Sequence, residues 1–180
     1  MLKPNVYSDD SRRYIVGPSA EVRLPRGFAV EVDALYQRVG TNFTYGSILS
    51  GTNFVPLYPY AASGVSRATG NVWQFPLAGK YYLNRSSKFQ PFVGLGPELR
   101  TTGWHTDNRS VIVSGQSVAP ITSLSSTDSR SNSLGAVALI GMRFQVGRLK
   151  FSPQFRFTRW SRQQDSLRTN EAGLMLGIHF

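Results

Sequence analysis

The segment LKFSPQFRFTRW, Leu149–Trp160, decides the fold because apolar and polar residues alternate along most of its length. Its two faces read Leu149, Phe151, Pro153, Phe155 and Phe157 on one side and Lys150, Ser152, Gln154, Arg156 and Thr158 on the other. Successive side chains of a strand point to opposite faces, so a period of two predicts a β-strand between two different environments.

The same alternation occurs in six further segments, and no segment shows a sustained helical period of 3.6 residues. The length of 180 residues is suited to one domain. We therefore predict a single all-β domain. The six further predicted strands are Tyr14–Leu24, Phe28–Val39, Val72–Leu83, Phe89–Arg100, Leu134–Val146 and Glu171–Phe180.

The connections between these segments alternate between short and long. Short turns at one rim and long loops at the other are typical of outer-membrane barrels, so the pattern predicts an antiparallel up-and-down transmembrane β-barrel. Residues 1–13 are polar and are interpreted as the remnant of an exterior loop. The predicted short turns are Pro25–Gly27, Asn84–Lys88 and Gly147–Arg148, and the predicted long loops are Gly40–Asn71, Thr101–Ser133 and Ser161–Asn170.

The polar face of the predicted strands carries charges of both signs. Charges that are buried in a narrow barrel have to be paired, so we predict an interior network of ion pairs that fills the barrel. A proton or ion path through the same residues is the alternative. The members of this predicted interior network are Glu21, Arg23, Glu31, Asp33, Lys80, Glu98, Arg100, Arg143, Lys150 and Arg156.

Alternation alone also fits a soluble barrel whose apolar face points inward. Two features favour an apolar face that points outward into lipid. Aromatic residues such as Tyr36, Trp73 and Trp160 lie near strand ends, as in the aromatic girdles of membrane proteins. Glycines such as Gly94 and Gly141 lie on the charged face, where a narrow barrel leaves little room for side chains.

Composition excludes several functional classes. The chain has no cysteine, and its net charge of +10 is spread along the sequence rather than clustered as in a nucleic-acid-binding surface. His105 and His179 are far apart and have no neighbours at metal-ligand spacing. No Gly-x-Ser-x-Gly motif of a hydrolase is present. We therefore expect no enzymatic activity, no cofactor and no metal.

Several stretches resemble bacterial outer-membrane β-barrel domain proteins of the OmpA-like, eight-stranded type. They are Tyr14–Gly27, Val30–Tyr36, Trp73–Leu77, Lys80–Tyr82 and the ending Gly177–Phe180. The resemblance implies residence in the bacterial outer membrane, with the lipid bilayer and lipopolysaccharide as surroundings. It also implies that Phe180 serves as the signal that the barrel-assembly machinery reads. We expect the barrel to be a monomer.

The sequence departs from this family in the number of strands, since seven rather than eight are recognisable. Closing seven strands would pair the first and the last in parallel, which bacterial barrels avoid. Residues 1–13 offer only the short fragment Leu2–Tyr7 as a further strand. The expectation is therefore that the first strand and a signal peptide lie upstream of Met1.

The sequence favours a structural or surface-interaction role that acts through long basic exterior loops. Arginine suits anionic partners such as lipid phosphates. Two alternatives stay open, a narrow small-solute channel and a soluble lipocalin-like barrel that binds an apolar ligand. The loop arginines on which the favoured interpretation depends are Arg67, Arg109, Arg130, Arg162 and Arg168.

Overall fold

The computed structural model describes residues 6–12, 14–49, 60–84, 89–113, 121–146, 149–161 and 169–179. Within these ranges the chain forms nine β-strands, and all strand pairings with a described register are antiparallel. The strands are β1 Val6–Asp9, β2 Ser19–Arg23, β3 Phe28–Asp33, β4 Leu35–Leu49, β5 Tyr60–Tyr82, β6 Phe89–Val113, β7 Ile121–Val146, β8 Leu149–Trp160 and β9 Asn170–His179. The all-β antiparallel fold predicted from the sequence is confirmed.

The chain divides into two compact units. One, here the belt unit, comprises Ile15–Gln37, Val72–Thr102 and Ser131–Phe180. The other, here the polar unit, is drawn from Met1–Tyr14, Arg38–Asn71 and Gly103–Arg130. In the belt unit the strands follow one another in the order β2, β3, β5, β6, β7, β8 and β9.

Along the strands of the belt unit, buried and exposed residues alternate, and the charged residues are the buried ones. Along β5, Lys80 is 1% exposed, whereas Trp73 on the opposite face is 42% exposed. Along β6, Glu98 is 2% exposed and Leu95 is 69% exposed. This distribution is the reverse of that in a water-soluble protein, and it is the orientation expected for a barrel in lipid. The alternative of a soluble lipocalin-like barrel with an apolar interior is therefore wrong.

The predicted tight turn at Pro25–Gly27 is present. Arg26 and Gly27 both have positive φ, at 63° and 85°, which closes the chain on itself within three residues. The amide of Leu24 donates to the carbonyl oxygen of Phe28 at 2.8 Å. Glycine adopts this conformation at no steric cost, so its place at the end of the turn has a clear physical reason.

Glycines on the inward face make room for large interior side chains, as the sequence predicted. A Cβ at Gly135 would lie 2.7 Å from the Trp160 ring. A Cβ at Gly141 would lie 2.6 Å from Cζ of Phe92, whose side chain is completely buried. These two positions therefore depend on having no side chain.

The polar unit contains strands where the sequence predicted loops. Strand β4 runs on to Leu49, β5 already begins at Tyr60, β6 reaches Val113 and β7 begins at Ile121. The prediction that Gly40–Asn71 and Thr101–Ser133 are loops was therefore wrong over these parts. Residues 122–130 are all exposed, and a strand that meets water on both faces needs no alternation of polarity. The third predicted loop, Ser161–Asn170, lies mostly outside the described residues, as do the turns at 85–88 and 147–148.

The beginning of the chain also differs from prediction. The interpretation of residues 1–13 as an exterior loop remnant was wrong for Val6–Asp9, which form β1 and pair with Thr41–Thr44 of β4. The predicted strand Tyr14–Leu24 is shorter, with regular pairing over Ser19–Arg23 and one isolated pair, Val16 with Tyr36. Pro18 has no amide hydrogen to donate, so it interrupts the ladder between these two parts.

Candidate functional site: an interior charge network and an outward polar face

The interior of the belt unit begins with two carboxylates that face each other. The register of β2 and β3 sets Glu21 directly opposite Glu31. Like charges in this arrangement repel, so they need cations between them. Lys80 supplies one, forming an ion pair with Glu31 and lying 3.6 Å from an Oε of Glu21. Arg143 supplies the other, with Nη2 2.6 Å from Glu21.

Arg156 joins a second group of carboxylates in the same interior. Its Nη2 lies 3.1 Å from Oε1 of Glu31 and also pairs with Asp33. Glu31 and Asp33 are two residues apart on β3 and therefore share the inward face. All three side chains are almost completely buried, so each charge depends on its partners rather than on water.

A third group surrounds Glu171 of β9. Gln74 donates to both carboxylate oxygens, at 3.0 and 3.1 Å, and the Trp160 indole donates at 3.3 Å. Arg100 lies 4.0 Å from the same carboxylate, and its guanidinium lies 4.2 Å from the centre of the Trp160 ring. Thr158, which is paired with Glu171 in the sheet, donates its hydroxyl hydrogen to the carboxylate of Glu98 on β6 at 2.7 Å.

The structure therefore brings together eight of the ten predicted network residues in the buried interior. Arg23 has the predicted inward phase but a 51% exposed side chain, which lies 3.6 Å from the carboxylate of Glu21 and donates to Gln90 at 3.0 Å. Lys150 is half-buried and forms no ion pair among the described residues. The eight buried residues are Glu21, Glu31, Asp33, Lys80, Glu98, Arg100, Arg143 and Arg156.

Sequence reasoning missed several polar partners of this network. Tyr82 donates to Glu21, and its ring lies between the Arg23 and Arg143 guanidinium groups at 5.0 and 5.1 Å. Gln74 and Glu171 have the same sequence phase as the charged face of their strands, but the predicted network did not include them. The alternation gave their inward phase, and only the three-dimensional arrangement shows that they touch.

The polar unit contains a group of exposed ionisable side chains around His105. His105 of β6 contacts two carboxylates, with Nδ1 2.6 Å from Asp128 and Nε2 3.3 Å from Asp107. The hydrogen bond to Asp128, followed by the charge of Asp107, raises the pKa of His105 above its ordinary value. A groove of about 460 Å³ adjoins this histidine and is lined also by Arg38 and Arg130.

The described residues contain no helix of the length and apolarity needed to cross a membrane. In the same ranges, no three His, Cys, Asp or Glu side chains are arranged to hold a metal ion. Phe180, the predicted assembly signal, lies outside the described residues.

The family is shown by a match of residues 5–159 to the outer membrane protein β-barrel domain. The chain belongs to this family. The barrel domain is therefore a protein of the bacterial outer membrane, as the sequence predicted. No curated protein sequence matches it.

Two solved structures show a similarity to this barrel domain over most of its length. Neisserial surface protein A is 12% identical, with a TM-score of 0.37, and the match covers 88% of this chain and 95% of that one. The RagAB peptide transporter is 11% identical, with a TM-score of 0.38, over 97% of this chain. The barrel domain spans about one fifth, 20%, of that transporter chain.

Two aromatic pairs mark the ends of the apolar face in the belt unit. Phe28 and Tyr81 lie 5.1 Å apart between ring centres, and Tyr36 and Trp73 also lie 5.1 Å apart. Residues 28 to 36 span nine positions, close to the about 9–11 residues with which a tilted strand crosses the bilayer core. The spacing of these pairs is that expected of aromatic residues at the two membrane–water interfaces.

Proposed function

We propose that this barrel domain has a structural and surface-interaction role, and that basic residues of its polar unit bind anionic lipid groups such as the phosphates of lipopolysaccharide. The observation that carries the proposal is the placement of four arginines on neighbouring strands of the polar unit. All four residues are exposed. They are Arg38 on β4, Arg67 on β5, Arg109 on β6 and Arg130 on β7.

The chemistry of arginine supports this choice of partner. A guanidinium group presents a planar fork of donors that matches the oxygens of a phosphate, and its charge is kept at all physiological pH values. Three of the four arginines come from the set that the sequence analysis singled out. The other two of that set, Arg162 and Arg168, lie outside the described residues. The proposal includes no catalysis, because no nucleophile motif accompanies the charged groups.

The test is binding of the purified chain in detergent to lipopolysaccharide at low and high salt. Replacing Arg38, Arg67, Arg109 and Arg130 together by Gln should weaken binding by at least tenfold, since each charged contact contributes on the order of 1 kcal/mol. A control is Arg26→Gln with Arg159→Gln, which removes two charges at exposed positions elsewhere and should weaken binding less than half as much in free energy. Binding that is unaffected by the fourfold replacement, or equally weakened by the control, would contradict the proposal.

A narrow small-solute path is the second candidate, and one observation favours it. Several buried polar atoms of the belt unit have no hydrogen-bond partner among the described residues, including Oδ1 of Asp33, Nε of Arg143 and Oγ of Ser152. Such atoms could bind a solute in passage. The ion pairs across the interior oppose this role because they fill it. Single-channel recording in a planar bilayer distinguishes the two: discrete conductance steps support a channel, and their absence supports the filled barrel.

A further inference from the structure

A groove in the polar unit gathers side chains from four strands onto one face. Arg38 belongs to β4, Thr69 to β5, His105 to β6, and Asp128 and Arg130 to β7. The five residues come from distant parts of the sequence, and strand pairing alone brings them together. The groove is therefore a feature of the folded sheet and not of a single loop.

The charges of the groove do not cancel. The lining contains two arginines and His105 against a single carboxylate, that of Asp128, which is paired with His105. Neither Arg38 nor Arg130 has an ion pair within the described residues. Two cationic groups thus remain available on the two flanks of the groove, and they favour an anionic ligand.

Its shape suits a ligand larger than a simple ion. A volume of about 460 Å³ lies in the range of small-molecule sites. Gly103 contributes to the lining, and a Cβ at this position would meet nothing within 4 Å, so the space above it is open. The hydroxyl group of Thr69 and the carboxylate of Asp128 offer a donor and acceptors for the hydroxyls of a sugar.

We propose that this groove binds a phosphorylated sugar headgroup of a lipid in the outer leaflet. The inference rests on the proposed function and assigns it a particular site. Arg38 and Arg130 each bind a phosphate group at one flank of the groove, and the polar side chains between them contact the sugar. A lipid is favoured over a soluble sugar phosphate because alternation gives Thr69 the same side-chain phase along β5 as the outward aromatic residues Trp73 and Phe75.

A second groove in the same unit provides an internal comparison. It is lined by the apolar side chains Val65 and Leu124 together with Arg67 and Arg109. Arg67 already lies 3.8 Å from the carboxylate of Asp10, and Asp107 is part of the lining. Its positive charge is therefore partly balanced by the protein, which makes it the weaker site for a phosphate.

The experiment measures binding of lipid A to the full chain in detergent by native mass spectrometry. The probes are bisphosphorylated lipid A, the same lipid without phosphates, and glucosamine 6-phosphate as the soluble source. We expect the wild-type chain to prefer the phosphorylated lipid over both. Arg38→Gln with Arg130→Gln should weaken its binding about tenfold, equal to about 1.4 kcal/mol. Arg67→Gln with Arg109→Gln, which removes the same charge, should weaken it less than threefold.

A second variant leaves the charge unchanged. Gly103→Leu places a side chain in the open space of the groove and should also reduce binding of the phosphorylated lipid. A circular dichroism spectrum and a melting curve like those of the wild type verify that each variant is folded.

The outcomes separate the site from the broader proposal. If the wild type binds lipid A but both double variants lose affinity equally, the groove is not the site, although the arginines still bind lipid. If the soluble sugar phosphate binds as well as the lipid, or the lipid without phosphates binds equally, the proposed ligand is wrong. If the wild type does not bind lipopolysaccharide at all, the proposed function fails as well.

Discussion

The belt unit and the polar unit are built from the same antiparallel ladders, yet their side chains follow different rules. In the belt unit, apolar residues are exposed and charged residues are buried, as with Leu95 and Glu98 on one strand. In the polar unit, the stretch 122–130 is exposed on both faces. A strand acquires an alternating sequence only where its two faces meet different surroundings. The comparison therefore shows that hydrophobic pattern reports environment and not the presence of a strand.

The largest expected effect is the loss of a buried cation in the belt unit. Arg143→Met leaves Glu21 without its 2.6 Å partner in the interior and should destabilise the fold by about 3–5 kcal/mol. Arg130→Met, in the polar unit, should change stability by less than about 0.5 kcal/mol because the position is exposed. Unfolding in denaturant with the protein in lipid vesicles measures both. Equal effects would mean that the interior charges are solvated and that the two units do not differ as described.

A charge on the outward face of the belt unit should have the next largest effect. Leu176→Arg, at a position 61% exposed in the isolated chain, should cost about 2–4 kcal/mol in lipid because it places a guanidinium in the apolar band. Leu124→Arg, at a position 76% exposed in the polar unit, is the control and should be close to neutral. Vesicle unfolding experiments test the pair. A neutral Leu176→Arg would indicate that this face of β9 does not contact lipid.

Glycine positions sharpen the comparison through packing. Gly135→Leu has to displace the Trp160 ring and the Arg159 carbonyl, which lie 2.7 and 2.9 Å from the new Cβ. Overpacking of this kind should cost about 1–3 kcal/mol. Gly103→Leu in the polar unit meets nothing within 4 Å and should leave the melting temperature nearly unchanged. If both variants melt like the wild type, the interior of the belt unit is looser than the contacts indicate.

The smallest effect concerns pH in the polar unit. The pKa of His105 is raised by Asp128 and then by Asp107, so the protonated form is favoured in the folded state. Its contribution to stability is present at low pH and is lost as the pH rises through the raised pKa. A proton NMR titration of the imidazole should give a pKa above 6.5, and Asp128→Asn should lower it. A pKa at or below the ordinary value in the wild type would contradict the pairing.

Much of the belt unit could be predicted from the sequence because lipid and a charged interior impose opposite requirements on alternate residues. The predicted strand Leu149–Trp160 matches the observed one residue for residue, and the predicted strand Glu171–Phe180 begins one residue after the observed Asn170–His179. The polar unit could not be predicted in the same way. Its strands are held by backbone hydrogen bonds in the sheet, which any sequence can form. Where both faces of a strand meet water, nothing requires apolar and polar side chains to alternate.

The sequence by itself determined that the protein is all-β, that charged and apolar residues occupy opposite faces of its strands, and that Pro25–Gly27 is a tight turn. These properties depend on neighbouring residues and on a period of two. Only the tertiary structure decided which charges meet, because Arg143 and Glu21 are 122 residues apart and Arg156 and Asp33 are 123 apart. It also decided that Arg38 and Arg130 flank one groove. Such contacts depend on the register and curvature of the sheet, which local sequence does not encode.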